Sequence, residues 1–193
     1  MKNNPIQLFN KWYAEADKKV KKLPERAALA TADSNGIPSC RMVLLKGFDN
    51  KGFVFYTNYN SPKARQMDEN PFAAMTFHWV ETGKQVRVEG SVEKVSTQES
   101  DVYFSSRPRQ SQLGAWASKQ SAELFSRFTL LRKVAVKAME FANREVPRPD
   151  FWGGYRIKPQ RIEFWEEQKF RLHNRFLYKK TKQGQWEMHR LSP

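Results

Sequence analysis

The sequence predicts an α+β fold, mainly antiparallel β, in which a small barrel or strongly bent sheet carries flanking helices. Three observations lead there. Five stretches, 27–32, 39–48, 53–57, 72–80 and 84–95, have strand composition and a period near two, the signature of strands with a buried face. The connections Asp33-Ser34-Asn35-Gly36, Asp49-Asn50-Lys51-Gly52 and Glu81-Thr82-Gly83 carry hairpin chemistry. A single short helical stretch interrupts the series, so the crossovers that parallel strands need are missing and an antiparallel meander is expected.

Each element has a local cause. Asn4 and Pro5 form an N-cap and first-turn pair, and Leu8, Phe9, Trp12, Ala16 and Val20 recur at helical spacing, which predicts a helix over 5–21. The basic run Lys18-Lys19-Val20-Lys21-Lys22 suits the negative end of its dipole. Pro62 and Asn70-Pro71 delimit a short helix over 61–69. Ser96-Thr97-Gln98-Glu99 has capping-box spacing and starts a helix reaching about residue 106, before Arg107-Pro108. A longer helix over 121–143 places Leu124, Phe128, Leu131, Ala135, Ala138 and Phe141 on one face, with Pro147 and Pro149 beyond it. Strands follow at 153–157, 161–165, 175–180 and 186–191, the last two joined through Gly184. With no repeat or linker, 1–193 reads as a single domain: barrel strands over 27–95, a helical segment over 96–143 and C-terminal strands over 153–191.

Composition narrows the function. The chain has 193 residues, of which 39% are hydrophobic, with 14 Phe and 6 Trp, enough for a core and too many for a charge-driven disordered tail. Its 34 Lys and Arg against 20 Asp and Glu give a net charge of +14, which directs attention to polyanions or phosphorylated small molecules, or else describes a solvated basic surface. Cys40 stands alone, which excludes an intrachain disulfide and a cysteine-based zinc site. The N-terminal stretch has no uninterrupted apolar run, and no stretch elsewhere reaches the roughly 18–20 apolar residues of a membrane span. A soluble cytoplasmic protein without a membrane partner is therefore expected. Phosphate-loop, dinucleotide, nucleophile-elbow and zinc-helix motifs are absent; His78, His173 and His189 lie far apart, and no metal site is expected.

What stands out is a set of cations embedded in apolar or aromatic segments. Arg41 and Lys46 flank Met42-Val43-Leu44-Leu45, so they either face an anion or snorkel to a barrel rim. Arg171, His173 and Arg175 alternate; if extended they share one face, as an anion site or as an ordinary polar strand edge. The segment from Tyr103 through Arg107 to Ser111 offers phosphate ligands, and equally reads as a helix-stop loop.

In order along the chain, RMVLLKGFD at 41–49, FVFYTNY at 53–59, QVRVEG at 85–90, YFSSRPR at 103–109, GAWASKQS at 114–121, VPRPDFWGGYR at 146–156, IEFW at 162–165, RLHNR at 171–175 and the terminal RLSP resemble the pyridoxine/pyridoxamine 5′-phosphate oxidase family. The resemblance spans about residues 4–193. It implies a split β-barrel, a homodimer and one FMN in each of two interface clefts. The implied reaction oxidises pyridoxamine or pyridoxine 5′-phosphate to pyridoxal 5′-phosphate, with O2 as final acceptor giving H2O2. By matching motifs, Arg41, Met42, Val43, Leu44, Leu45, Lys46, Tyr56, Thr57, Lys63, Gln85, Gln120, Ser121, Trp165 and Arg175 are expected to hold FMN, several of them from the second subunit. Lys46, Tyr103, Arg107 and Ser111 are expected on the substrate phosphate, with Arg171 and His173 over its ring as the catalytic pair. The chain departs from the family pattern at Pro62, where an Arg is common, and at Asn174, where an Asp is common; it also starts close to the first core helix. A related FMN oxidase of the phenazine-biosynthesis type and a non-catalytic flavin or pyridoxal-phosphate carrier are the alternatives. Nucleic-acid binding ranks below them, because the cations at motif positions already have small anionic partners.

Overall fold

The computed structural model describes residues 4–20 and 23–193; Lys21 and Lys22 of the basic run lie outside them. Among the described residues nine strands form one antiparallel sheet: β1 (Arg26–Ala32), β2 (Pro38–Leu44), β3 (Gly47–Asp49), β4 (Gly52–Asn58), β5 (Phe72–Trp79), β6 (Lys84–Lys94), β7 (Trp152–Glu166), β8 (Asn174–Lys180) and β9 (Trp186–Leu191). The helices that accompany them are α1 (Pro5–Lys19), α2 (Pro62–Glu69), α3 (Thr97–Ser105), α4 (Arg109–Ala117) and α5 (Arg127–Glu140). Among the described residues no helix is long and apolar enough to cross a membrane.

The order is β2-β1-β5-β6-β7-β4-β3, with β8 on β7 and β9 on β8. The expected hairpins β1–β2, β3–β4 and β5–β6 are present, but the simple meander is not: β4 pairs with β7, and β1 with β5. Since β3 follows β2 in the chain yet lies at the far end of the order, the sheet curls until its ends meet. The meeting is brief. The stretch expected as one strand over 39–48 breaks at Leu45 and Lys46, because the chain changes partners there: Leu45 N–H donates to Glu25 O at 2.9 Å and Lys46 N–H to Val54 O at 2.8 Å. Beyond this point β2 and β4 diverge, and the barrel is split.

Strand β7 supports both halves. Its first half pairs with β4 and its second with β8 along the same edge, while β6 runs along the other. The sequence divides it in two at 158–160. The structure carries it through as one strand of 15 residues, with a bulge that leaves Gln160 without a partner on β6. Gly90 opposes the bulge because a Cβ there would lie 2.0 Å from Lys158 O.

Helix α1 closes the barrel's core. Asn4 Oδ1 accepts from Ile6 N–H at 2.9 Å, Pro5 opens the first turn, and Lys18 and Lys19 occupy the last. Its buried stripe is Phe9, Trp12 and Ala16. The Phe9 ring, fully buried, meets Phe48, Phe53 and Phe77 edge-on at 4.8–5.1 Å. A second cluster, Phe104, Leu113, Phe141, Val146 and Trp152, fastens the helical layer to the sheet.

Two helical expectations need correction. Helix α5 begins at Arg127, where Ser126 Oγ accepts from Thr129 N–H at 3.2 Å; Leu124 precedes it, and Ser121 adopts a left-handed φ of 65° that no helix can include. Helix α4 has no counterpart among the expected elements, because the segment up to Ser111 also reads as a helix-stop loop; Pro108 is its cap. Phe9→Ala should lower the unfolding free energy by about 3–5 kcal/mol. Val102→Ala, at an exposed position on α3, should change it by less than about 0.5 kcal/mol; urea denaturation of both variants checks the contrast.

Candidate functional site

The split between β2 and β4 opens into a cleft of about 470 Å³, covered by residues of α3 and α4. Strand β2 is terminal in the sheet order, so among the described residues the backbone N–H and C=O groups on its cleft side have no strand partner. Met42, Val43, Leu44 and Lys46 line this side; Tyr56, Thr57 and Asn58 of β4 face them. Lys63, Tyr103, Arg107, Ser111, Gln120 and Trp152 complete the walls.

One end of the cleft is a cation enclosed by hydroxyls. Lys63 is 7% exposed, and its Nζ donates to Thr57 Oγ1 and Ser61 Oγ, each at 3.2 Å. Among the described residues it has no carboxylate within ion-pair distance. Burial, with Arg41 nearby, pushes its pKa down from 10.5 to about 8. Gln120 Oε1 accepts from Thr57 Oγ1 at 3.2 Å and from Asn58 N–H at 3.3 Å, drawing the loop after α4 onto β4. Arg41 does not line the cleft; its guanidinium donates to Thr31 Oγ1, Leu29 O and Gln66 Oε1.

The other end is aromatic and cationic. Tyr56 and Tyr103 stack at 3.9 Å, Trp152 lies parallel to Tyr56 at 5.5 Å, and the Arg107 guanidinium sits 4.6 Å over the Trp152 ring. Arg107 Nη1 is buried without a hydrogen-bond partner. An orphaned guanidinium nitrogen and an unpaired ammonium in one cleft fit a ligand with acidic oxygens at two places. Burial raises the Tyr56 hydroxyl to about 12 and also raises that of Tyr103, where Arg107 opposes the shift and Glu25 adds to it. Both hydroxyls are therefore donors at neutral pH.

The remaining expected residues form a second group outside this cleft. Gln85, Trp165 and Arg175 occupy one row across β6, β7 and β8. Arg175 Nε donates to Glu163 Oε1 at 2.8 Å, and the other oxygen of this buried carboxylate holds Arg87 at 2.8 Å. The idea that Arg171, His173 and Arg175 share an extended face is corrected: Arg171 lies in a tight 3-10 turn, Lys169–Arg171, in which Phe170 and Arg171 have φ of 59° and 61°. His173 packs 4.5 Å from the Trp165 ring, and its Nδ1 accepts from Gln168 N–H at 3.2 Å. That bond leaves the neutral imidazole's proton on Nε2, which makes it a donor. Leu45 is buried in the core, and Ser121 does not line the cleft. Sequence reasoning missed Trp152, whose signal was its place within VPRPDFWGGYR, and Glu163, within IEFW.

Lys63 carries a linked stability effect. Between pH 8 and 10 the unfolded chain holds a proton here that the folded chain lacks, so stability rises with pH; below pH 8 the full penalty stands. Lys63→Met should raise the unfolding free energy of the ligand-free protein by about 1–2 kcal/mol at pH 7 and flatten that rise. It should also weaken inorganic phosphate binding roughly tenfold. Urea titrations across pH 7–10 and phosphate calorimetry check both.

The geometry can be set beside known proteins. Residues 14–139 match the family model described as pyridoxamine 5′-phosphate oxidase, and residues 152–193 the model for the pyridoxine 5′-phosphate oxidase C-terminal dimerisation region. A pyridoxine/pyridoxamine 5′-phosphate oxidase of Psychromonas ingrahamii is 50% identical over 99% of this chain and 88% of its own. One from Brucella canis is 51% identical over 98% and 94%. The crystal structure of PhzG from Burkholderia lata 383, in complex with tetrahydrophenazine-1-carboxylic acid, superposes with a TM-score of 0.93 at 32% identity, covering 99% of this chain and 93% of that one. An FMN-binding protein from Nostoc punctiforme, 18% identical with a TM-score of 0.79 over the whole of both chains, shares the fold. Split barrel, cleft and full-length identity agree: the chain belongs to the pyridoxamine 5′-phosphate oxidase family.

Proposed function

We propose that the protein is an FMN-dependent oxidase converting pyridoxamine or pyridoxine 5′-phosphate to pyridoxal 5′-phosphate, with dioxygen as final electron acceptor and hydrogen peroxide as product. The observation that carries this reading is the pair of unneutralised cationic ends in one cleft: Lys63 without a carboxylate, and Arg107 with an orphaned nitrogen. Two phosphates, one of the cofactor and one of the substrate, satisfy them. The residues at the second end, Lys46, Tyr103, Arg107 and Ser111, favour a phosphorylated substrate over that of the PhzG type.

Lys63, Thr57 and Ser61 would hold the cofactor's phosphate, and the backbone edge of β2 at Met42–Leu44 would be available to the polar groups of its ring. The chemistry that bound FMN supplies is acceptance of two electrons from the substrate carbon and their delivery to dioxygen. Arg107, Lys46, Tyr103 and Ser111 grip the substrate phosphate with charges and hydroxyls, fixing the distance of its ring from the flavin. Gln85, Trp165, Arg171, His173 and Arg175 of a second copy complete the site in a homodimer, in keeping with the dimerisation-region match. There His173 donates from Nε2, and Arg171 orients the substrate and offsets charge changes at the reacting carbon. The lone cysteine suits the reducing cytoplasm.

Purified protein should bind FMN and, given pyridoxamine 5′-phosphate under air, release equal amounts of peroxide and pyridoxal 5′-phosphate. Failure to bind FMN overturns the reading; FMN without turnover shifts it to a PhzG-type oxidase or a carrier. Arg171→Ala should lower kcat by about 100-fold or more while FMN affinity stays within about threefold. Normal turnover in that variant removes Arg171 from the mechanism.

A further inference from the structure

Lys46 lines two cavities. One is the cleft; the other, about 330 Å³, is lined by Tyr13, Asp17 and Glu25 among others and is therefore acidic. The lysine's Nζ lies 3.6 Å from Glu25 Oε1, with both side chains largely covered, at 27% and 18% exposure. Both backbones are anchored. Glu25 O accepts from Leu45 N–H, Lys46 N–H bonds across the split to Val54 O, and the preceding Pro24 O accepts from Trp79 Nε1 at 2.8 Å. The two backbones are therefore held side by side, and the lysine's four-carbon stem lets its ammonium reach either the carboxylate or the cleft. At 3.6 Å the pair is looser than a hydrogen-bonded ion pair.

We propose that Glu25 is a positioning residue that competes with the substrate phosphate for Lys46, holding the ammonium at the cleft's mouth until a phosphate draws it away. The inference rests on the proposed substrate class. It makes Glu25 a brake on affinity for phosphorylated ligands. A partly covered pair of this kind offsets binding by a small factor, so releasing the lysine should strengthen phosphate binding about 2–5-fold. Tyr103 feels the same carboxylate, since its hydroxyl is raised partly by Glu25.

The test uses FMN-loaded protein and calorimetry with 4-deoxypyridoxine 5′-phosphate, which lacks the oxidisable hydroxyl, against its unphosphorylated form. Glu25→Gln, and Glu25→Ala in parallel, should bind the phosphorylated probe about 2–5-fold more tightly and the unphosphorylated one unchanged, with kcat for pyridoxamine 5′-phosphate unaltered. In a Lys46→Met background the gain should vanish. Equal or weaker binding by Glu25→Gln, or a gain that persists without Lys46, overturns the inference and leaves the site reading intact. A wild-type protein that does not distinguish the two probes overturns both.

Discussion

The separation of β2 from β4 is the constraint on which the rest of the structure depends. Had the two strands paired along their length, the barrel would be closed, its backbone satisfied and its surface featureless. Instead the chain makes contact at Leu45 and Lys46 and then diverges. The divergence leaves a strand edge without a partner and a gap that α3 and α4 cover without filling. Phe9 and its aromatic neighbours make this tolerable, because the core beneath the split is sealed by α1 and does not need β2 and β4 to join.

The charges around the split are handled in two opposite ways. On the far row, Glu163 bridges Arg87 and Arg175 and Glu89 takes the Nε side of Arg87, so those cations are balanced and fixed in place before anything binds. In the cleft, Lys63 is left with hydroxyls and Arg107 with an aromatic face. Hydroxyls and rings orient a cation without cancelling its charge, and the folded chain bears that cost until an anion arrives. Lys46 lies between these extremes, near a carboxylate but not bonded to it.

Strand positions were legible largely because alternation is local, and the hairpin turns fall at Gly36, Gly52, Gly83 and Gly184, each with a positive φ. Strand order was not, since the pairing of β4 with β7 joins segments about a hundred residues apart and leaves no mark in either. The sequence reads β7 as two strands on either side of 158–160, whereas a bulge opposite Gly90 carries it through as one. In the site, the motifs brought out Lys46, Tyr56, Thr57, Lys63, Tyr103, Arg107, Ser111 and Gln120, and the fold gathers these into one cleft. The alternation of Arg171, His173 and Arg175 misled, because a left-handed turn at Phe170 and Arg171 replaces the extended backbone it presumed. Glu25 escaped notice because its partner, Lys46, lies on another segment, and a carboxylate in a loop has no local signature.

The placing of β7 sets the order of events as the chain is made. It is the centre of the sheet, flanked by β6, β4 and β8, yet it is one of the last strands synthesised. Until residue 166 has left the ribosome, β4 and β6 each present an open edge, and the hairpins already formed have no common strand to join. The nascent chain must therefore spend the time of roughly 70 residues of synthesis, from β6 to the end of β7, with sheet edges that can pair wrongly. The excess of Lys and Arg over Asp and Glu already present in 1–166 gives this waiting chain a mutual repulsion that discourages such pairing.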